Sequence, residues 1–353
     1  MGEIMKKSIM FFLAICMIAV IIIWYTENSN EDKEDLYLSV WNVYWDTENV
    51  DYEIELLRDA AKEISYFAAY FDSNNNIFIP EKTEKTFEYT STNFSGKDYD
   101  HYLTIVNDKI NIDGSSSLKD TKLLYELFLN EKTMEEHIEE ILKLVMEEGY
   151  DGVEIDYENI KKDMDLWDLF ADFCNKLYFR LAENNIKMRI VLGPTAPLQD
   201  IRLPVGPDYV MMCYNLYGKH SGPGPKADEG FILDLVDRMD YIEGKKYFAF
   251  ATGGFDWDNQ GEIWAITEKE AKDILKKYNI TPKRDEKSKS ITFNYIDENN
   301  VEHEVWFADG KTLTFWMDIV RKRGNNNFSL WRLNGNTEES LYKIDKYIKT
   351  VEI

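Results

Sequence analysis

Eight short apolar runs, rich in β-branched residues and separated mostly by helical patterns, constrain this chain most. The first four are "LYLSVWNVYW" (36–45), "ISYFAAYF" (64–71), "YLTIVND" (102–108) and "GVEIDY" (152–157). The last four are "KMRIVLG" (187–193), "DYVMMCYN" (208–215), "KYFAFATGG" (246–254) and "NFSLWRL" (327–333). Helical patterns fall around 52–63 and at 133–148, 166–183 and 337–350. In the second of these, Ile138, Ile141, Leu142 and Val145 share one face and acids occupy the other. Parallel neighbours need a crossover connection, so strands alternating with helices read as a parallel sheet. Eight of them imply an α/β fold closed as a (β/α)8 barrel. The stretch 72–100 shows no helical pattern. Residues 255–310 are too long for a loop and contain a helix (268–278) and a hairpin, "SITFNYIDENNVEHEVWF". They read as a small α+β insertion, approximately 258–310, between strands seven and eight.

The N-terminus carries a separate signal. Lys6 and Lys7 precede "IMFFLAICMIAVIIIWY" (9–25), 17 residues without a charge. That length is at the lower edge for a membrane span, and the flanking lysines place their side in the cytoplasm. No small-residue cleavage site follows Tyr25, and Ile15 stands where a lipoprotein box needs a small residue. The expectation is a signal anchor over 1–30, uncleaved, with the domain 36–353 outside the cytoplasmic membrane, or secreted if the segment is cleaved. A formal net charge of −24 repels phosphate backbones and excludes nucleic acid as a partner. Cys16, Cys174 and Cys213 show no metal spacing and read as free thiols, with a Cys174–Cys213 disulfide left open. His101, His137, His220 and His303 also lack metal spacing and read as surface or loop residues. No cofactor is expected.

The chemistry concentrates in "YDGVEIDYENI" (150–160). Read as a strand, Val153, Ile155 and Tyr157 point one way and Glu154, Asp156 and Glu158 the other. In a barrel the apolar set packs on the helices, and the acids line the interior, with Glu158 at the C-terminal end where barrel chemistry is done. Three readings are open: a solvated edge strand, a Mg²⁺ or Ca²⁺ site, or carboxylates crowded so that one keeps its proton near neutral pH. A protonated carboxyl is what a glycosidic oxygen needs to leave. The 22 Tyr and 9 Trp supply aromatic faces for sugar stacking.

Asp151-x-x-Glu154-x-Asp156-x-Glu158 resembles the DxxDxDxE signature of glycoside hydrolase family 18, the chitinase-like barrels. "MCYN" (212–215) is similar to that family's M-x-Y-D, Trp331 stands at its strand-eight Trp, and "GGFDW" (253–257) is similar to the region after its strand seven. "EHEVWFADGKTL" and "NNFSLWRLNG" resemble the bacterial branch with spore-cortex and peptidoglycan N-acetylglucosaminidases. The resemblance covers about 37 to 350. It implies a retaining, substrate-assisted glycosidase acting on a polymer that contains β-linked N-acetylglucosamine, peptidoglycan or cortex ahead of chitin. In that mechanism Glu158 protonates the leaving oxygen, the substrate's own acetamido carbonyl attacks the anomeric carbon, and Asp156 and Tyr214 hold the acetamido group. Trp331 would floor the sugar subsite, and Glu154, Asn215, Met212, Trp257 and Tyr44 are the further candidate substrate contacts. Glu154 and Asn215 depart from the usual Asp at their positions. The alternatives are a catalytically silent carbohydrate-binding barrel of the cell envelope, or an endo-N-acetylglucosaminidase acting on N-glycans.

Overall fold

The structure is a computed structural model, and it describes residues 36–350 apart from 95, 97, 98, 112 and 113. Along the chain, β1 (Tyr37–Val43) is followed by α1 (Val50–Leu56), β2 (Ala61–Phe71), β3 (Ile77–Phe78) and α2 (Glu81–Asn93). Next come β4 (Asp100–Ile110), β5 (Ser116–Ser117), α3 (Thr121–Leu127) and α4 (Glu131–Glu148). Then follow β6 (Gly152–Asp156), α5 (Met164–Glu183), β7 (Lys187–Leu192), β8 (Asp208–Met212), α6 (Glu229–Met239) and β9 (Lys246–Ala251).

The strands β1, β2, β4, β6, β7, β8 and β9 pair in parallel around the molecule. An eighth, β15 (Asn327–Trp331), lies between β9 and β1 and closes the ring. This is the eight-stranded parallel barrel that the alternation of runs implies. Before β15 comes a second unit: β10 (Gly253–Asp258), β11 (Ile263–Ile266), α7 (Glu268–Lys277), β12 (Lys283–Arg284), β13 (Ile291–Ile296) and β14 (Glu302–Ala308). Its five antiparallel strands run in the order β11-β10-β14-β13-β12. The helices α8 (Gly310–Arg321) and α9 (Glu338–Thr350) complete the chain.

The "KYFAFATGG" run is therefore two strands in two sheets, and the second begins at Gly253. Gly254 is required there, because a Cβ at this position would lie 1.7 Å from the carbonyl oxygen of Trp306 on β14. The stretch that shows no helical pattern contains α2. Its sequence, "EKTEKTFEYTSTN", buries only Thr83 and Thr90, so no apolar stripe marks it.

The connection that sets up β6 is specified locally. Asn130 and Thr133 form a capping box at the start of α4. The helix ends on Gly149, whose φ of 82° is the left-handed conformation that suits glycine. The buried face of α4 is the stripe seen in the sequence, joined by Met134 and His137. Leu166, Phe170, Phe173, Leu177 and Leu181 do the same for α5. Each large side chain buried in this way stabilises the fold by about 1.5–3 kcal/mol before entropy is counted. Val153 and Ile155 are fully buried. Cys174 and Cys213 are buried and free. The reading of the histidines as surface or loop residues holds for exposed His220. It fails for His137, which packs on Tyr157 and Phe173, and for His303, buried in β14.

The membrane segment expected over 1–30 lies outside the described residues. Among the described residues no helix is long and apolar enough to cross a membrane. The longest, α5, has Asp165, Asp168, Asp172, Lys176, Arg180 and Glu183 along it, and a charged residue in every turn suits a helix half in water. Against the expected fold class, the described residues give the barrel with its insertion and no membrane-spanning helix. The membrane as a partner and the single-pass location are therefore not carried by any helix of the described residues.

Candidate active site

The site stands at the C-terminal end of the barrel strands and is built upward from β6. Glu154 is its base. Its side chain is fully buried, Trp41 Nε1 donates to Oε1 at 2.5 Å, and Thr104 Oγ1 donates to the same oxygen at 2.8 Å. Arg189 Nη2 lies 2.7 Å from Oε2. Arg189 is itself fully buried and reaches Glu63 at 2.6 Å and Ser39 Oγ at 2.9 Å, with its guanidinium over the Tyr102 ring. Glu63 also accepts from the Tyr247 hydroxyl at 2.9 Å. One buried cation thus joins two buried carboxylates across the barrel floor.

Asp156 lies one layer higher and is 8% exposed. Burial, then the charges of Glu158 and Glu154, push its carboxyl well above the usual carboxylate range. Its Oδ1 has no hydrogen-bond partner among the described residues. Glu158 follows just beyond the strand. Asn107 fixes the backbone there: the Glu158 N–H donates to Asn107 Oδ1 at 2.8 Å, and Asn107 Nδ2 donates to the Glu158 carbonyl at 3.1 Å. The Glu158 carboxylate meets Lys119 Nζ at 2.5 Å.

Opposite these acids stands Tyr214, buried, its phenol pushed well above the usual range by burial and then by Asp156 and Glu158. Trp331 at the end of β15 packs edge-on against Phe67 at 4.8 Å and Trp41 at 5.8 Å. Asp156, Glu158, Met212, Tyr214, Asn215 and Trp331 line one open cavity of about 520 Å³, together with Phe67, Lys119, Pro194, Thr195 and His220. Asn215 has a φ of 64°, a conformation that Asn adopts more readily than most residues.

Three of the candidate substrate contacts are elsewhere. Glu154 lies beneath the cavity in the Arg189 network. Trp257 is in the second sheet, where its indole donates to the Ser221 carbonyl at 3.2 Å and it lines a separate cavity. Tyr44 packs edge-on against Trp45 and Tyr70 and does not line the cavity. Conversely, Phe67, Asn107, Lys119 and Thr195 are close to the acids without any motif to mark them. Among the described residues no cluster of His, Cys, Asp and Glu is arranged to hold a metal ion.

No protein-family model matches the chain. Its fold superimposes on the Bacillus cereus spore cortex-lytic enzyme SleL with a TM-score of 0.74 at 17% identity, covering 88% of this chain and 74% of that one. It superimposes on a chitinase from Chromobacterium violaceum with a TM-score of 0.75 at 14% identity, covering 89% of this chain and 99% of that one. The fold is the family 18-like barrel of chitinases and spore cortex-lytic enzymes. In sequence, this family 18-like barrel is 24% identical over 239 residues to an uncharacterised glycosylase of Bacillus subtilis, YvbX, which is 64% of this chain and 69% of that protein. It is 34% identical over 85 residues to the cortical fragment-lytic enzyme of Bacillus cereus, and those residues are 20% of that protein's length.

Proposed function

We propose that this family 18-like barrel is a glycoside hydrolase of the chitinase and N-acetylglucosaminidase kind. Its substrate would be a polymer containing N-acetylglucosamine, either peptidoglycan cortex or chitin. The observation that carries this reading is the convergence of Asp156, Glu158, Tyr214 and Trp331 on one cavity at the chemistry-bearing end of the barrel. The fold and the sequence similarity to a glycosylase support it.

The proposed reaction retains configuration and uses the substrate as its own nucleophile. A pyranose lies on the flat face of Trp331. Glu158 gives its proton to the glycosidic oxygen as the bond to the anomeric carbon breaks. The acetamido carbonyl oxygen attacks that carbon and closes a five-membered oxazolinium ring. Asp156, as a carboxylate, accepts the acetamido N–H and offsets the positive charge, while Tyr214 donates to the acetamido oxygen. Water then opens the ring, and Glu158 takes the water's proton. Burial, and after it the nearby charges of Glu158 and Glu154, favour a proton on Asp156 before substrate binds, which suits the sequence of steps. Transfer of the Asp156 proton to Glu158 readies both groups together.

The test is product analysis by mass spectrometry after incubation with peptidoglycan and with chitin oligomers. The wild-type chain should release fragments with N-acetylglucosamine at the new reducing end. Glu158→Gln should lower turnover by about 10²- to 10⁴-fold while sugar binding persists. Wild-type turnover in that variant would remove Glu158 from the role of acid.

A further inference from the structure

Burial alone would put the proton of this site in the wrong place. Glu154 and Asp156 share the inward face of β6, about 7 Å apart along the strand. Glu154 is fully buried, whereas Asp156, one layer higher, is 8% exposed. Of two neighbouring acids, the deeper one loses more on ionising and should keep the proton. A proton on Glu154 lies beneath the cavity and cannot reach a glycosidic oxygen.

The partners of Glu154 prevent this. Its Oε1 accepts from the Trp41 indole at 2.5 Å and from the Thr104 hydroxyl at 2.8 Å, and the Arg189 guanidinium lies 2.7 Å from Oε2. An indole and a guanidinium only donate, so a proton on either oxygen would face another hydrogen. Glu154 is therefore a carboxylate. Arg189 stands opposite it in the register of β7 on β6. The guanidinium is fully buried and fixed from the other side by Glu63 at 2.6 Å, Ser39 Oγ at 2.9 Å and the Tyr102 ring at 4.2 Å. The charge it holds on Glu154 is, after burial and Glu158, what keeps a proton on Asp156. The other charged or titratable groups around Asp156 are Glu158, Lys119, Asp108 and Tyr214. Of the carboxylates among them, Glu158 is the one that shares the cavity with Asp156. With Glu154 closed to the proton, Glu158 is the acceptor that remains.

We propose that Arg189 is a positioning residue for the reaction: by holding Glu154 as a carboxylate beneath Asp156, it keeps the catalytic proton on the Asp156–Glu158 pair and leaves that proton one way to move, upward to Glu158. This rests on the glycosidase reading and adds how the site is set before substrate arrives. Arg189 touches no substrate. It acts through Glu154, so its loss should move the pH dependence of the reaction and not only its rate.

The experiment uses the full chain and has two arms. The first is infrared spectroscopy of the protonated-carboxyl C=O stretch near neutral pH, with the glutamate carboxyls carbon-13 labelled so that Asp156 is not read. In the wild type, Glu154→Gln should remove no glutamic-acid band. In Arg189→Met/Glu63→Gln, where Glu154 is the one stranded acid, adding Glu154→Gln should remove one band. The second arm is kcat/KM against pH on chitin oligomers and peptidoglycan fragments. Its alkaline limb reports loss of the proton from the Asp156–Glu158 pair. That limb should move roughly one pH unit lower in Arg189→Met/Glu63→Gln, the order of one lost charge at this separation. Adding Glu154→Gln should move it no further, and Arg189→Lys, which keeps a cation, should stay near the wild type. A merely structural role would lower the rate and leave the limb in place. A band that Glu154→Gln removes from the wild type overturns the inference, and that comparison needs no Arg189 variant to fold. A limb that stays in place in Arg189→Met/Glu63→Gln overturns it while the glycosidase reading stands. If the wild type hydrolyses nothing, the glycosidase reading is what fails, and the infrared arm still decides whether Arg189 holds Glu154 ionised.

Discussion

Arg189→Met tests the floor of the site. The side chain is fully buried and, among the described residues, is the only cation paired with two buried carboxylates, Glu63 at 2.6 Å and Glu154 at 2.7 Å. Removing it leaves both acids without a counter-charge while their side chains stay buried. Breaking a buried pair in this way costs about 3–5 kcal/mol. That is a large share of the ~5–15 kcal/mol that holds a domain folded. At roughly 2 °C of melting temperature per kcal/mol for a chain of this size, the expected fall is about 6–10 °C. The assay is thermal and urea unfolding of wild type, Arg189→Met, and a triple variant that adds Glu63→Gln and Glu154→Gln. The triple variant removes the stranded charges, and its amide oxygens still accept from Trp41, Thr104 and Tyr247. It should recover most of the loss, because a buried ion network replaced by neutral groups is often close to neutral in stability. If Arg189→Met melts within about 2 °C of wild type, or the triple variant is the least stable of the three, the reasoning about the floor is refuted.

Two other outcomes follow from the same structure. Asp156 keeps its carboxyl proton in the folded state at pH values where the unfolded chain, with an ordinary value of 3.8, has released it, so its contribution to stability falls as pH rises above about 4. Asp156→Asn should therefore melt above wild type near neutral pH, with the gain shrinking toward pH ~4; a gain independent of pH would contradict this. Gly254→Ala puts a methyl 1.7 Å from the Trp306 carbonyl oxygen and should open β10 from β14, seen as proteolysis within 253–308. Gly222→Ala, with nothing within 4 Å, is the control and should resist, so equal resistance in both variants would refute the packing argument.

The barrel was legible because each strand had to be apolar and short, and each crossover had to bury a stripe at helical spacing. The acids of β6 were legible because a period of two separates Val153 and Ile155 from Glu154 and Asp156. The part of Glu154 was not. One extra methylene reads as a change at the substrate, yet its partners Trp41, Thr104 and Arg189 are 113, 50 and 35 residues away in sequence, and only the closed barrel brings them together. Asn107 and Lys119 escaped for the same reason: each meets Glu158 from a distant part of the chain, Asn107 from β4 and Lys119 from the turn after β5, and neither belongs to a local pattern. Trp257 and Tyr44 were misplaced because an aromatic beside a motif looks alike in sequence whether it faces a sugar or a neighbouring ring. The helix α2 was hidden because its surface is almost wholly polar, leaving propensity alone to signal it.

The most direct test of the proposed chemistry is calorimetry with two ligands on two proteins. A thiazoline mimic of the fused five-membered ring and its parent N-acetylglucosamine oligomer are titrated into the wild type and into Asp156→Ala. If Asp156 meets charge that develops only on reaction, the wild type should bind the thiazoline at least ~10²-fold more tightly than the parent sugar. Asp156→Ala should then lose most of that difference while its affinity for the parent sugar changes little. Equal affinities for the two ligands in the wild type, or an Asp156→Ala variant that weakens both alike, would contradict substrate-assisted hydrolysis and leave a barrel that only binds its glycan.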